Sequence, residues 1–144
     1  MKVCTFFGHR NCSETIKPAI KSAIENLIIN ENVNTFYVGK NGLFDFYAYK
    51  VLKELKLVFN EINIFVVLAY IPTSKDSTLY YDTSETIYPD GLEKSPRRFC
   101  IDKRNLWMIK KSDFVITHIR HTFGGAYKHA LLAKSKGKRV FNVL

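Results

Sequence analysis

Short apolar, β-rich runs alternate with segments of helical period along this chain, and that alternation restricts the fold more than any other feature. Val3 to Phe7 is the first run, stopped by Gly8. Apolar residues at 16, 20, 23, 24, 27 and 28 then follow a helical period, with Ser13 placed as its N-cap. Thr35 to Val38 is a second strand, closed by Gly39-Lys40-Asn41-Gly42, and a second amphipathic helix carries Phe44, Ala48, Val51, Leu52, Leu55 and Phe59. Ile62 to Ala69 is a third strand. Asp113 to Ile119 is a fourth, preceded by a helix that starts near Arg97. Thr122-Phe123-Gly124-Gly125 turns into a last helix, Gly137 stops it, and Arg139 to Leu144 is the fifth strand. Runs apolar on both faces are the mark of buried parallel strands. The pattern therefore predicts an α/β fold: a Rossmann-like three-layer sandwich with about five parallel strands and helices on both faces. One domain over residues 1–144 is expected.

Residues 70–96 break the alternation. They hold Pro72, Pro89, Asp90-Gly91 and Pro96, all turn signals, and show no sustained period. A connection of that length in a compact domain is functional or hides a short element.

Composition excludes several classes. At 47% apolar residues the chain can fill a core, so disorder is excluded. No run reaches the roughly 20 apolar residues of a membrane span, and the opening apolar run is too short for a signal peptide. Three scattered cysteines, Cys4, Cys12 and Cys100, have no zinc-ligand spacing and fit free thiols in a cytoplasmic protein. No metal or cofactor is indicated. The net charge of +9 is uneven: residues 97–144 carry 12 Lys+Arg and 2 Asp+Glu, while residues 1–96 are nearly neutral. That asymmetry fits an anionic partner or a solvated basic face.

In a doubly wound sheet, ligands lie beyond the C-terminal strand ends, near the switch point. The loops there are Gly8–Ser13, Gly39–Phe44, Tyr70 onward and His118–Gly125, which are also the polar, glycine-containing loops. Gly39-Lys40-Asn41-Gly42 and Gly124-Gly125 each lie between a strand and a helix. Glycines there let backbone N–H groups approach a phosphate at a helix N-terminus. Neither matches a GxGxxG or Walker A pattern. Arg10 can fork onto a phosphate or pair with an acid. Asp45 can cap its helix or accept from a ribose hydroxyl. Asp102 and Arg98 are spaced for a helical salt bridge. Trp107 reads as helix–sheet packing. Tyr80, Tyr81 and Tyr88 stack a base or fasten the loop. His118, His121 and His129 form no metal-ligand set. Arg97, Arg98, Lys103 and Arg104 lie on the long-loop side, where they can face a phosphate; the lysines around Gly137 belong at the opposite end of the sheet.

Several blocks carry a resemblance. Phe6-Phe7-Gly8-His9-Arg10 opens the chain. Arg104-Asn105-Leu106-Trp107-Met108-Ile109 is followed by Ser112-Asp113-Phe114-Val115-Ile116-Thr117. Gly124-Gly125-Ala126 precedes Ala133-Lys134-Ser135-Lys136-Gly137-Lys138, and Tyr88-Pro89-Asp90-Gly91-Leu92-Glu93 sits in the long loop. In order and spacing these resemble the SLOG superfamily, named for the SMF/DprA DNA-processing proteins and the LOG phosphoribohydrolases. Within it the chain is similar to the small stand-alone YpsA-like and YspA-like proteins.

The resemblance implies a nucleotide or nucleotide-derived ligand at the C-terminal sheet edge, in a sensor or ligand-binding protein that self-associates as a homodimer or larger homo-oligomer. It points to Gly8, His9, Arg10, Gly39, Lys40, Gly42, Asp45, Thr122, Gly124 and Gly125. The LOG enzymes carry PGGxGTxxE, but here the Gly-Thr pair is Tyr127-Lys128 and the Glu position is Leu131. Hydrolysis or transfer at a nucleotide N-glycosidic or phosphate bond, the alternative reading, would need acid–base work from Asp45, His9 or Glu93. DNA binding, as in the DprA branch, is the weakest expectation.

Overall fold

The computed structural model describes residues 2–73 and 79–144. Its strands are β1 (Lys2–Gly8), β2 (Val33–Val38), β3 (Asn63–Val67), β4 (Thr86–Ile87), β5 (Phe114–His118) and β6 (Arg139–Asn142). Its α-helices are α1 (Lys17–Glu31), α2 (Leu43–Lys56), α3 (Cys100–Lys111) and α4 (Gly125–Ser135). All strand pairs are parallel, in the order β4-β3-β2-β1-β5-β6.

The sheet has six strands rather than about five. The extra one, β4, lies inside the connection predicted over 70–96 and pairs only Thr86 and Ile87 with β3. Two residues cannot display a period, so the sequence pattern did not reveal it. Residues 74–78 of that connection lie outside the described residues.

Alternation along β1 explains the three layers. Cys4 and Phe6 face one side, where Ile20, Ile24 and Leu27 of α1 and Phe44, Val51 and Leu52 of α2 cover them. Val3 and Phe7 face the other, against Met108 and Ile109 of α3 and Ala133 of α4. With both faces covered, the interior of β1 from Val3 to Phe7 is apolar apart from one residue, Thr5. Thr5 is fully buried, and its hydroxyl donates to the Tyr37 carbonyl at 2.8 Å.

Local signals behave as their chemistry requires. The Ser13 side chain accepts from the Thr15 N–H and caps a 3-10 turn, Glu14–Ile16, that leads into α1. Trp107 packs on Tyr37 at 5.2 Å between ring centroids. Tyr80 makes edge contacts with Phe46, Tyr49 and Tyr81, so these tyrosines fasten the loop to α2. The Arg98–Asp102 salt bridge does not form: Arg98 lies over the Phe99 ring, and Asp102 is drawn toward α4.

Chain order makes β1 and β5 neighbours, because the chain adds β2, β3 and β4 on one side of β1 and then returns to the other. The switch point therefore lies between the ends of β1 and β5, at Gly8 and His118. The first turn of α2 presses directly on this end of β1. A Cβ on Gly8 would lie 2.2 Å from Cγ of Phe44, a ring that is itself buried. Gly8→Ala is expected to lower stability by about 1–3 kcal/mol through overpacking. In urea denaturation, its cost should fall when combined with Phe44→Leu, so that the double variant is less destabilised than the sum of the singles.

Candidate functional site

A cavity of about 630 Å³ opens at this switch point, within the range of small-molecule sites. The end of β1 and the following loop supply Gly8, His9 and Arg10. The β5–α4 connection supplies His118, Arg120, His121, Gly124 and Gly125. Asp45 of α2 and Asp102, Arg104 and Asn105 of α3 complete the wall, with His129 of α4. All four histidines of the chain thus converge on one cavity.

The structure brings together six of the ten residues predicted for the site: Gly8, His9, Arg10, Asp45, Gly124 and Gly125. Gly39, Lys40, Gly42 and Thr122 are not among the lining residues. Gly39 is buried, and a Cβ there would lie 2.8 Å from Asp45 Oδ2 and 3.0 Å from Arg104 Nη1. Its bareness admits a charged pair. Gly42, at φ +108°, abuts the Arg10 backbone, and the Leu43 N–H donates to the Arg10 carbonyl at 2.8 Å. The Gly39–Gly42 loop is therefore engaged with protein. Lys40 reaches over the Tyr81 ring, and Thr122 is exposed.

The other glycine turn differs. Gly124 has φ +94°, a conformation that favours glycine. A Cβ on Gly125 would meet nothing within 4 Å. Gly125 is the first residue of α4, where amide hydrogens have no intrahelical acceptor and the helix dipole favours an anion.

Arg104, one of four basic residues that the sequence places on the ligand side, lines the cavity from within the fold. It is 2% exposed. Its Nη1 donates to the Val67 carbonyl at 3.0 Å, Nη2 to Asn41 Oδ1 at 2.9 Å, and Nε to Asn105 Oδ1 at 2.7 Å. Burial pulls its pKa down, opposed chiefly by Asp45. Arg97, Arg98 and Lys103, predicted to face a phosphate beside it, instead engage Tyr70, Phe99 and Ser95. The i, i+3 and i, i+4 spacing shows that one helix face differs from another, but not which of the four arginines and lysines turns inward.

Asp45 accepts from the Asn41 N–H at 3.0 Å. Burial pushes its carboxyl up to about 6, with Arg104 and the Asn41 N–H pulling the other way. Cys12, another lining residue, has its thiol pushed up by burial and by Asp45, away from the thiolate a nucleophile needs.

The histidines form a layered rim. His9 stacks on His121 at 3.8 Å, and His121 on Phe123 at 3.9 Å between ring centroids. His9 Nε2 accepts from the Arg120 N–H at 2.9 Å. Burial lowers its pKa, and His121, His118 and Arg120 add to the effect. His118 Nδ1 lies 2.8 Å from the Val143 carbonyl, and since a carbonyl only accepts, that nitrogen carries hydrogen. Among the described residues no group of three His, Cys, Asp or Glu is arranged to hold a metal ion.

The fold and site together define a doubly wound α/β domain with a polar cavity at its switch point. No protein-family model matches the chain, and no curated protein matches it. Among solved structures it is similar to DNA processing protein A (DprA) from Streptococcus pneumoniae, with a TM-score of 0.70 at 16% sequence identity. The match covers 99% of this chain and 50% of that one, so this chain spans about half its length. At that identity the likeness establishes the DprA-like, Rossmann-like fold. Among the described residues no helix is long and apolar enough to cross a membrane.

The raised Asp45 pKa makes a prediction with a definite sign. Between about 3.8 and about 6 the folded chain binds more protons at Asp45 than the unfolded chain. This residue's contribution to stability therefore falls as pH rises through that window. Asp45→Asn removes the titration. The melting temperature of the variant relative to the unaltered protein should rise between pH 4 and pH 6.5, whatever the constant cost of the substitution. A flat difference across that range would refute the assignment.

Proposed function

We propose that this chain binds a nucleotide or nucleotide-derived small molecule in the switch-point cavity, as a ligand-binding or sensor protein. Within the SLOG superfamily it would be of the small stand-alone YpsA-like or YspA-like kind, a single domain over residues 1–144. The observation that carries this reading is the start of α4. A glycine pair, with Gly125 unobstructed, lies at a helix N-terminus on a cavity edged by Arg10, Arg104 and Arg120. This arrangement suits a phosphate on the Gly125 amide and its neighbours, with Arg10 and Arg120 at the mouth. The apolar floor from Phe6, Phe7 and Met108 suits the less polar parts of such a ligand.

A second reading, hydrolysis or transfer at a nucleotide N-glycosidic or phosphate bond, draws support from Asp45. A carboxyl held near 6 can exchange a proton close to neutrality. Incubation with nucleoside 5′-monophosphates and detection of free base tests it; activity that survives Asp45→Asn removes that residue from the chemistry. DNA is not the proposed partner. Arg139 begins β6 at the sheet edge opposite the cavity and pairs with Glu31 at 3.0 Å.

Thermal denaturation against a panel of nucleoside monophosphates, ADP-ribose and cyclic nucleotides tests the ligand-binding reading. A ligand at one hundred times its Kd should stabilise the fold by about 2.7 kcal/mol, read as a rise of several degrees. Gly125→Val places a side chain in the open cradle. It should leave the melting temperature of the free protein almost unchanged and abolish the ligand-induced rise. If no member of the panel moves the transition, the reading is wrong.

A further inference from the structure

His129 and Asp102 lie on different helices and meet at the cavity wall. His129 is 2% exposed and stacks on Phe7 of β1 at 5.5 Å between ring centroids. Its Nδ1 sits 2.7 Å from the Gly125 carbonyl. A carbonyl cannot donate, so Nδ1 carries a hydrogen and the ring orientation is fixed. The other nitrogen, Nε2, is left 3.7 Å from Oδ1 of Asp102. Asp102 is half-exposed, and both residues line the cavity.

The protonation state of His129 decides what this pair does. Burial lowers its pKa, and Lys128 and Arg104 lower it further, while the Gly125 carbonyl and Asp102 oppose them. The neutral ring presents a lone pair at Nε2, facing a carboxylate oxygen that also only accepts. Two acceptors side by side cannot satisfy each other. At 3.7 Å they are also too far apart for a direct hydrogen bond. Two donor hydrogens arriving together from the cavity would satisfy both.

We propose that Asp102 and His129 form a subsite for a vicinal diol, taking one hydroxyl hydrogen on Asp102 Oδ1 and the other on His129 Nε2. A pentose with both ring hydroxyls has this chemistry; a deoxy sugar lacks it. The inference rests on the nucleotide-binding reading and narrows it to ribo-ligands. It also sets the ligand's direction, since the Gly125 carbonyl that orients His129 belongs to the residue proposed to receive the phosphate. The sugar lies against α3 and α4, one helical turn from the phosphate.

Isothermal titration with adenosine, guanosine, cytidine and uridine 5′-monophosphates, each beside its 2′,3′-dideoxy counterpart, tests the subsite at pH 7.5. The hydroxylated nucleotide that binds best should bind at least tenfold more tightly than its dideoxy form, as expected for hydrogen bonds of which one is to a charged group. Asp102 is half-exposed, so Asp102→Ala should fold; it should bring the two affinities to within about threefold. Nitrogen NMR of His129 gives a readout that a structural role would not move. The free protein should show the Nδ1–H tautomer, and the Nε2 resonance should shift with the hydroxylated nucleotide and not with the dideoxy form. Equal affinities for the two forms in the unaltered protein overturn the subsite and leave nucleotide binding standing. A tenfold preference that persists in Asp102→Ala overturns the assignment to this pair. No binding by any of the eight compounds overturns the subsite, and the thermal panel with ADP-ribose and cyclic nucleotides decides the broader reading separately.

Discussion

A buried guanidinium governs the arrangement of this sheet edge. Removing the Arg104 charge from water is costly unless hydrogen bonds and a countercharge replace its hydration. Here the replacements come from three separate elements: the last residue of β3 through the Val67 carbonyl, the β2–α2 loop through Asn41, and α3 itself through Asn105. Asp45 of α2 supplies the nearby negative charge. The side chain therefore ties α3, which packs on one face of the sheet, to the loop that starts α2 on the other. Gly39 has to be bare for this to happen, because a Cβ there would crowd both the carboxylate and the guanidinium. The cavity wall is built on that pair.

The same geometry sorts the basic charge of the last third of the chain. Arg104 and Arg120 reach the cavity. Lys110, Lys136 and Lys138 line a separate groove beside Leu106, and Arg139 is paired with Glu31. Parallel strands make the sorting inevitable, since residues that follow β5 and residues that precede β6 emerge at opposite sheet edges. A single net charge thus describes two unrelated surfaces. The histidines are concentrated instead of divided. His9 and His118 follow or end the two strands that flank the switch point, while His121 and His129 lie in the connection and helix that come next.

The fold was legible because it depends on periodicity, which survives in a single sequence. Runs such as Val3 to Phe7 and the apolar spacing in α2 state which faces are covered before any contact is known. The site was legible only to the level of loops. Placing ligands at the C-terminal strand ends selects the loops that hold Gly8, His9, Arg10 and the Gly124-Gly125 turn, and the family resemblance adds Asp45. It could not distinguish the two glycine turns, because what separates them is tertiary: Arg10, Asp45 and Arg104 crowd Gly39 and Gly42, and nothing crowds Gly125. Asp102 escaped for a related reason. Its spacing from Arg98 suggests a partner on its own helix, but the 3-10 turn at Arg97–Phe99 takes Arg98 out of the α-helical register, and Asp102 lies instead beside the His129 imidazole of α4, at 3.7 Å.

The position of Asp102 bears on binding versus catalysis. The carboxylate that the LOG-type pattern places on α4 is Leu131 here, a residue 47% exposed and outside the cavity lining. The cavity is not left without acceptors, since Asp102 comes in from α3. The two arrangements differ chemically. A lone carboxylate at a sugar can act as base or nucleophile. A carboxylate set beside an imidazole of fixed tautomer presents two adjacent acceptors, which suits the proposed holding of two hydroxyls better than attack on a sugar carbon. Asp45, whose carboxyl is raised toward neutrality, is engaged by the Asn41 amide at the same cavity. At the proposed sugar position, His129 is held by the Gly125 carbonyl and the Phe7 ring, and such preorganisation favours recognition at low entropic cost.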